Sequence, residues 1–158
     1  MIVRSAMLQV LAATTTASQP GSAIAPLRLT HAEVMTVKAS GAGAGTSGIS
    51  GIRTRVLAGD PTAPGPYTIA LQVPANTRIA AHTHRDDRVA SVVTGTWYFG
   101  YGAKAGTNVK ALGPGSFYTE PAGASHFART GAKPVVLYIH GFGPTDTHYL
   151  DQTADPRR

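Results

Sequence analysis

An all-β sandwich or barrel is the fold class this sequence predicts, on three observations. Short apolar runs recur about every 8 to 12 residues with turn residues between them. Eighteen glycines and eleven prolines supply those turns and leave little room for long helices. The clearest run, YTIALQV at 67–73, alternates Tyr67, Ile69, Leu71 and Val73 on one side, the period of two that marks a half-buried strand. A chain of 158 residues suits one domain around a single core.

Residues 1–27 stand apart from the rest. Arg4 precedes the modestly apolar AMLQVLAATTTA, and Ala23-Ile24-Ala25 has the small-x-small form of a cleavage site. The segment therefore reads as a flexible extension or as a weak export signal. Gln9 and the threonines dilute the apolar stretch, and Pro26 follows a cleavage site poorly. The segment is too short and polar to span a membrane. The expected compartment is the cytoplasm, or the periplasm or exterior if the segment is a signal.

A single domain is expected over 28–144. RLTHAEVMTVK (28–38) opens it as a strand or a short helix, and GAGAGTSGISG (41–51) follows as a flexible loop without a strand or helix period. IRTRVLA (52–58), the turn GDPTAPGP and YTIALQV come next. PAN turns into TRIAAHTH (77–84), RDDR turns again, and VASVVTGTWYFGYG (89–102) reads as two strands around Gly95. TNVKAL, SFYTE, SHFART and VVLYIH (135–140) complete the series, separated by GPG, PAGA and GAKP. The tail, 145–158, has few apolar anchors and is expected to lie over the outside.

Composition removes several chemistries. With no cysteine, a transition-metal site must use imidazole, carboxylate and water. The net charge of +6 comes from scattered arginines and lysines, with no basic run beyond the terminal Arg157-Arg158 and no basic helix, so neither nucleic acid nor membrane is an expected partner. GAGAG at 41–45 lacks the preceding strand, following helix and lysine of a phosphate-binding loop. No G-x-S-x-G elbow occurs, and no inward carboxylate pair suited to glycoside cleavage is evident.

The segment HTHRDDRVASVVTG (82–95) carries the chemistry. Residues two apart on a strand point the same way, roughly 6.5–7 Å apart, so His82 and His84 can reach one ion. Ile79 and Ala81 would face the other side. Downstream, GSFYTEPAGASHFART (115–130) reads Gly, five residues, Pro-x-Gly, two residues, His126. Upstream, Gly95 lies eleven residues after His84.

These two motifs, in this order and at this separation, resemble those of the cupin superfamily. The resemblance is strict from His82 to Thr130 and loose over about 60–140 by strand rhythm. It implies a double-stranded β-helix, or jelly-roll, cupin barrel with one divalent metal at its mouth. His82, His84 and His126 match metal-ligand positions. The first motif's glutamate aligns with Arg88, and the second motif's closing asparagine aligns with Thr130.

A guanidinium has no free lone pair and stays charged, so Arg88 breaks the usual set of three histidines and one glutamate. Three neutral histidines and water can suffice for the metal, which could be iron, zinc, nickel or manganese. A carboxylate could come from elsewhere, with Glu120 as the candidate. Or the site has lost metal and become a polar pocket. A buried Glu120 needs a partner, and an Arg88–Glu120 ion pair beside the metal is preferred to Glu120 as a fourth ligand; the alternative places Glu120 in solvent at a strand end. Asp86 and Asp87 are read as shaping their turn. Tyr98, Tyr118 and His140 are candidates for the pocket wall, and His31 and His148 are expected to be exposed.

The resembled family includes dioxygenases that cleave small diketones and hydroxy-ketones, some with three histidines and no glutamate. A dioxygenase-like oxidoreductase acting on a small organic molecule is thus one expectation. A non-catalytic cupin binding or sensing an anionic ligand, its metal structural or absent, is the alternative. A homodimer is expected in either case.

Overall fold

The computed structural model describes residues 24–104, 106 and 108–158. The extension or signal expected at 1–27 lies outside these, except for its last four residues, which are exposed. A short helix, α1 (His31–Thr36), precedes ten strands. They are β1 (Arg53–Ala58), β2 (Gly65–Val73), β3 (Arg78–Thr83), β4 (Arg88–Thr94) and β5 (Trp97–Tyr101), then β6 (Lys110–Leu112), β7 (Phe117–Glu120), β8 (His126–Thr130), β9 (Val135–Gly143) and β10 (His148–Tyr149). Two antiparallel five-stranded sheets result, ordered β1-β2-β9-β4-β7 and β10-β3-β8-β5-β6, the double-stranded β-helix. The chain crosses between the sheets from β3 to β4 and from β7 to β8, so the motifs at 82–95 and 115–130 each contribute to both.

The apolar alternation forms the core as expected. Tyr67, Ile69, Leu71 and Val73 are all buried, and they meet Trp97 and Phe99 from the facing sheet. The segment at 28–38 resolves to the helix, because Thr30 and Glu33 form a capping box. The Glu33 carboxylate accepts from Thr30 N at 2.7 Å, satisfying donors the helix itself cannot pair.

Three expectations need correction. The glycine-rich loop at 41–51 is packed: Gly45, Thr46 and Ser47 are buried. Gly45, at φ +83°, lies so close that an added Cβ would sit 2.5 Å from Ile69 Cδ1. Thr46 Oγ1 donates to Gly43 O and accepts from Gly43 N, both at 2.8 Å. The tail does not simply cover the outside. Thr145, Thr147 and Tyr149 are buried, and His148-Tyr149 pairs with Thr83-His82 of β3 as an edge strand. Finally, Ile79 does not face away from His82. The register of β3 against β8 shifts between them, and this bulge turns both side chains inward. Among the described residues, no helix is long and apolar enough to cross a membrane.

Candidate functional site

Two cross-strand pairs build the site. In one sheet His82 is the register partner of His126; in the other Arg88 is the register partner of Glu120. His84 sits in the crossing between β3 and β4. All five side chains are buried. The ring centroids of the three histidines are 4.4 to 5.0 Å apart.

Each imidazole is oriented by a main-chain carbonyl. His82 Nδ1 donates to Ala80 O at 2.7 Å, His126 Nδ1 to Ala124 O at 3.0 Å, and His84 Nδ1 to Asp146 O at 2.5 Å. A carbonyl only accepts, so each Nδ1 carries the hydrogen and each Nε2 presents a lone pair. One nitrogen from each ring then falls within 4.8 Å of the other two. His126 Nε2 is buried without a hydrogen-bond partner, and Glu120 Oε1 is 3.7 Å away.

Burial keeps all three rings neutral. It holds His82 down at about 3, with the neighbouring His126 adding to the effect. His84 is lowered by burial and then by Arg88. His126 is lowered by burial too, although Glu120 partly opposes this. For Glu120, burial alone would raise the carboxyl, but Arg88 and His126 hold it below the usual carboxylate range.

Arg88 is the unusual member. Its Nε donates to Glu120 Oε2 at 2.6 Å, and its Nη2 also reaches that oxygen. The same Nη2 lies 2.5 Å from His84 Nε2, so the guanidinium takes up the His84 lone pair. The expected Arg88–Glu120 ion pair is therefore present, and Glu120 is not in solvent.

The space at this point is small. A cavity of about 10 Å³ is lined by His82, His126, Arg88, Glu120 and Tyr118, with Gly45 and Ser47 of the 41–51 loop. That is the scale of one water or one ion, far below the hundreds of cubic ångströms an organic ligand occupies. Tyr118 thus belongs to the wall, its ring 4.3 Å from Phe99. Tyr98 and His140 do not. Tyr98 faces outward on β5 beneath Arg129, because only Trp97 and Phe99 have the inward phase of that strand. His140 is exposed on β9 and meets Thr68 Oγ1 at 2.9 Å, since the inward phase there falls to Leu137 and Ile139. His31 and His148 are exposed as expected.

Other contributors were misread or missed. Asp86, expected only to shape its turn, is instead buried and accepts from Tyr67 Oη at 2.8 Å and Thr145 Oγ1 at 2.7 Å. Tyr149, whose ring lies 5.6 Å from that of His82, donates to Ser47 O at 2.6 Å. The partners of Asp86 are 19 and 59 residues away in the chain, so local reading could not pair them. Thr130, standing where the motif has asparagine, donates to Pro74 O at 2.7 Å and closes a turn.

No family model matches the chain, and no curated protein does. Solved structures do. The polyketide cyclase RemF from Streptomyces resistomycificus superposes with a TM-score of 0.63 at 19% identity, over 84% of this chain and 91% of that one. An RmlC-like cupin from Shewanella frigidimarina gives 0.55 at 14% identity, over 77% and 94%. A structure reported for the DMSP lyases RdDddP and RnDddQII gives 0.54 at 19% identity, over 63% of this chain but 53% of that one. The chain spans about half the length of that lyase. These likenesses establish the fold of the chain.

Proposed function

We propose that this chain, which has the cupin fold, holds one divalent transition metal ion on His82, His84 and His126 and acts on a small organic molecule there. The observation that carries this reading is His126 Nε2, a buried lone pair with no donor, facing two others oriented in the same way. A buried unsatisfied acceptor costs about 1–3 kcal/mol, and a bound cation removes that cost. Three neutral imidazoles with no thiolate suit zinc, iron or nickel; manganese, which favours oxygen donors, fits this set less well.

A bound ion would supply Lewis acidity and an activated oxygen ligand. Holding it on all three rings requires Arg88 to release His84 while keeping Glu120. The guanidinium would then be a fixed cation beside the ion, favouring anionic or carbonyl-bearing substrates. An organic molecule can reach this point only when the cover formed by 41–51 and the strap at 145–149 opens. If the ion is iron, the reaction class proposed is the dioxygenase chemistry on small diketones that the motif resemblance implies.

One observation favours the second reading, a non-catalytic cupin without metal: Arg88 Nη2 already occupies the lone pair of His84. In that case the guanidinium replaces the ion. Elemental analysis of wild type and His126→Ala, both purified without a nickel column, separates the two. Near-stoichiometric metal that is lost in the variant supports the metal site, and iron would be followed by oxygen uptake with small diketones. No metal in either protein overturns it and leaves the arginine-filled pocket. As for assembly, Val89, Phe117 and Phe142 are exposed on the outward face of one sheet, which supports a homodimer through that face. Sedimentation of Phe117→Asp against wild type would test it, with a monomeric variant expected.

A further inference from the structure

The outer face of the sheet β10-β3-β8-β5-β6 carries a second concavity, of about 630 Å³. This lies within the range of about 300–1,000 Å³ typical of small-molecule pockets. Its lining includes the apolar Ala80, Phe127 and Val109 together with Tyr98, Arg78 and Arg129. The arginines are the anomaly. They are register partners on β3 and β8, and like charges directly opposite one another on a sheet repel. Yet no described carboxylate forms an ion pair with either. Asp155 lies between two lining residues, Ala154 and Pro156, but is taken by Arg157 at 2.7 Å. Arg129 is held over the Tyr98 ring at 3.9 Å, which orders its fork without neutralising it.

We propose that this groove binds a small amphipathic organic acid. The apolar body rests on Phe127, Ala80 and Val109, and the carboxylate sits between Arg78 and Arg129, whose planar forks match a carboxylate in two-point contact. This site is separate from the histidine cluster. Ile79 and Ala128 line both cavities and lie between them; Tyr149, which lines the groove, has its ring 5.6 Å from that of His82, but none of the three histidines lines it.

The test is calorimetric titration of the intact protein with 2-naphthoate, decanoate and indole-3-acetate, with 2-naphthamide as the neutral isostere of the first. Expected is saturable 1:1 binding of at least one acid. For that acid, binding weakens about tenfold or more in Arg78→Gln/Arg129→Gln, is abolished by the groove-filling Ala80→Trp, and is unchanged in His126→Ala. Both arginines face outward, and unaltered thermal melting of the double variant establishes that it is folded. Equal binding of the naphthamide or equal binding by the double variant overturns the proposal. So does loss of binding in His126→Ala, which would move the ligand to the histidines, and so does absence of saturable binding by all three acids. A concentration-dependent dimer dispersed by Ala80→Trp would put a second copy of the chain in the groove and overturn it as well.

Discussion

Arg88 is shared between Glu120 and His84, and its removal tests both contacts. Arg88→Met leaves Glu120 buried without its cation, which costs about 3–5 kcal/mol. In Arg88→Met/Glu120→Met most of that loss should return, because a paired charge is replaced by apolar volume. A urea-denaturation double-mutant cycle reads the coupling, and additive losses would refute the pairing. Zinc titration of Arg88→Met should also give tighter binding, since the His84 lone pair is freed. The histidines set a pH dependence in the metal-free chain. His82 is held at about 3 against an ordinary 6.5, and His84 and His126 are lowered in the same direction. Below pH 6.5 the unfolded chain takes up protons that the fold refuses, so stability falls as pH drops from there toward 3. Each ring that stays neutral adds up to about 1.4 kcal/mol per pH unit to the slope. Glu120, lowered by Arg88, is charged in the fold to a lower pH than in the unfolded chain. Its share of stability is lost only below the ordinary carboxylate range. Urea midpoints at pH 7.5, 6.0 and 5.0 should decline with increasing steepness; a flat profile would mean the rings are not buried and neutral.

At the scale of elements, the motif glycines separate turn strain from steric contact. Gly95 joins β4 to β5 at φ +79°, and an added Cβ would lie 2.4 Å from Pro134 O. Gly123, between β7 and β8, has a similar φ of +72°, with nothing within 4 Å of an added Cβ. Backbone strain of this kind costs about 1–3 kcal/mol. Gly123→Ala should therefore cost about 1 kcal/mol, and Gly95→Ala more than 2, because the backbone must also move. Thermal melts of the two variants compare them directly, and equal losses would remove the steric argument. The bulge in β3 belongs to this scale as well. Period-two reading puts Ile79 and His82 on opposite faces, and one register shift brings both into the interior.

The whole molecule decides how the site is closed. The strap from Thr145 to Tyr149 supplies the carbonyl that orients His84, the hydroxyl on Asp86 and the ring beside His82. Tyr149→Ala should destabilise the fold by about 3 kcal/mol and, on the metal site proposed above, weaken zinc binding about tenfold or more, because the ring packed beside His82 is lost. Tyr149→Phe removes one hydrogen bond, worth about 1 kcal/mol, and should leave metal retention near wild type. Chemical denaturation and zinc competition would measure the two effects, and a Tyr149→Ala variant that kept full metal affinity would exclude the strap from the site.

From the sequence alone, the strand period, the turn spacing and the two motifs were enough to define the all-β barrel and to bring forward His82, His84, His126, Arg88 and Glu120. These are local signals, since alternation and short spacings act within a few residues of chain. Tertiary structure alone decided that Glu120 is buried against Arg88, that Arg88 reaches His84, and that Tyr98 and His140 face away. It also recruited Asp86, Asp146 and Tyr149, and folded the glycine-rich loop over the cavity. Those outcomes depend on partners up to 102 residues apart and on one bulge that reverses a face. Contacts between segments so far apart in the chain exist only once both sheets have closed.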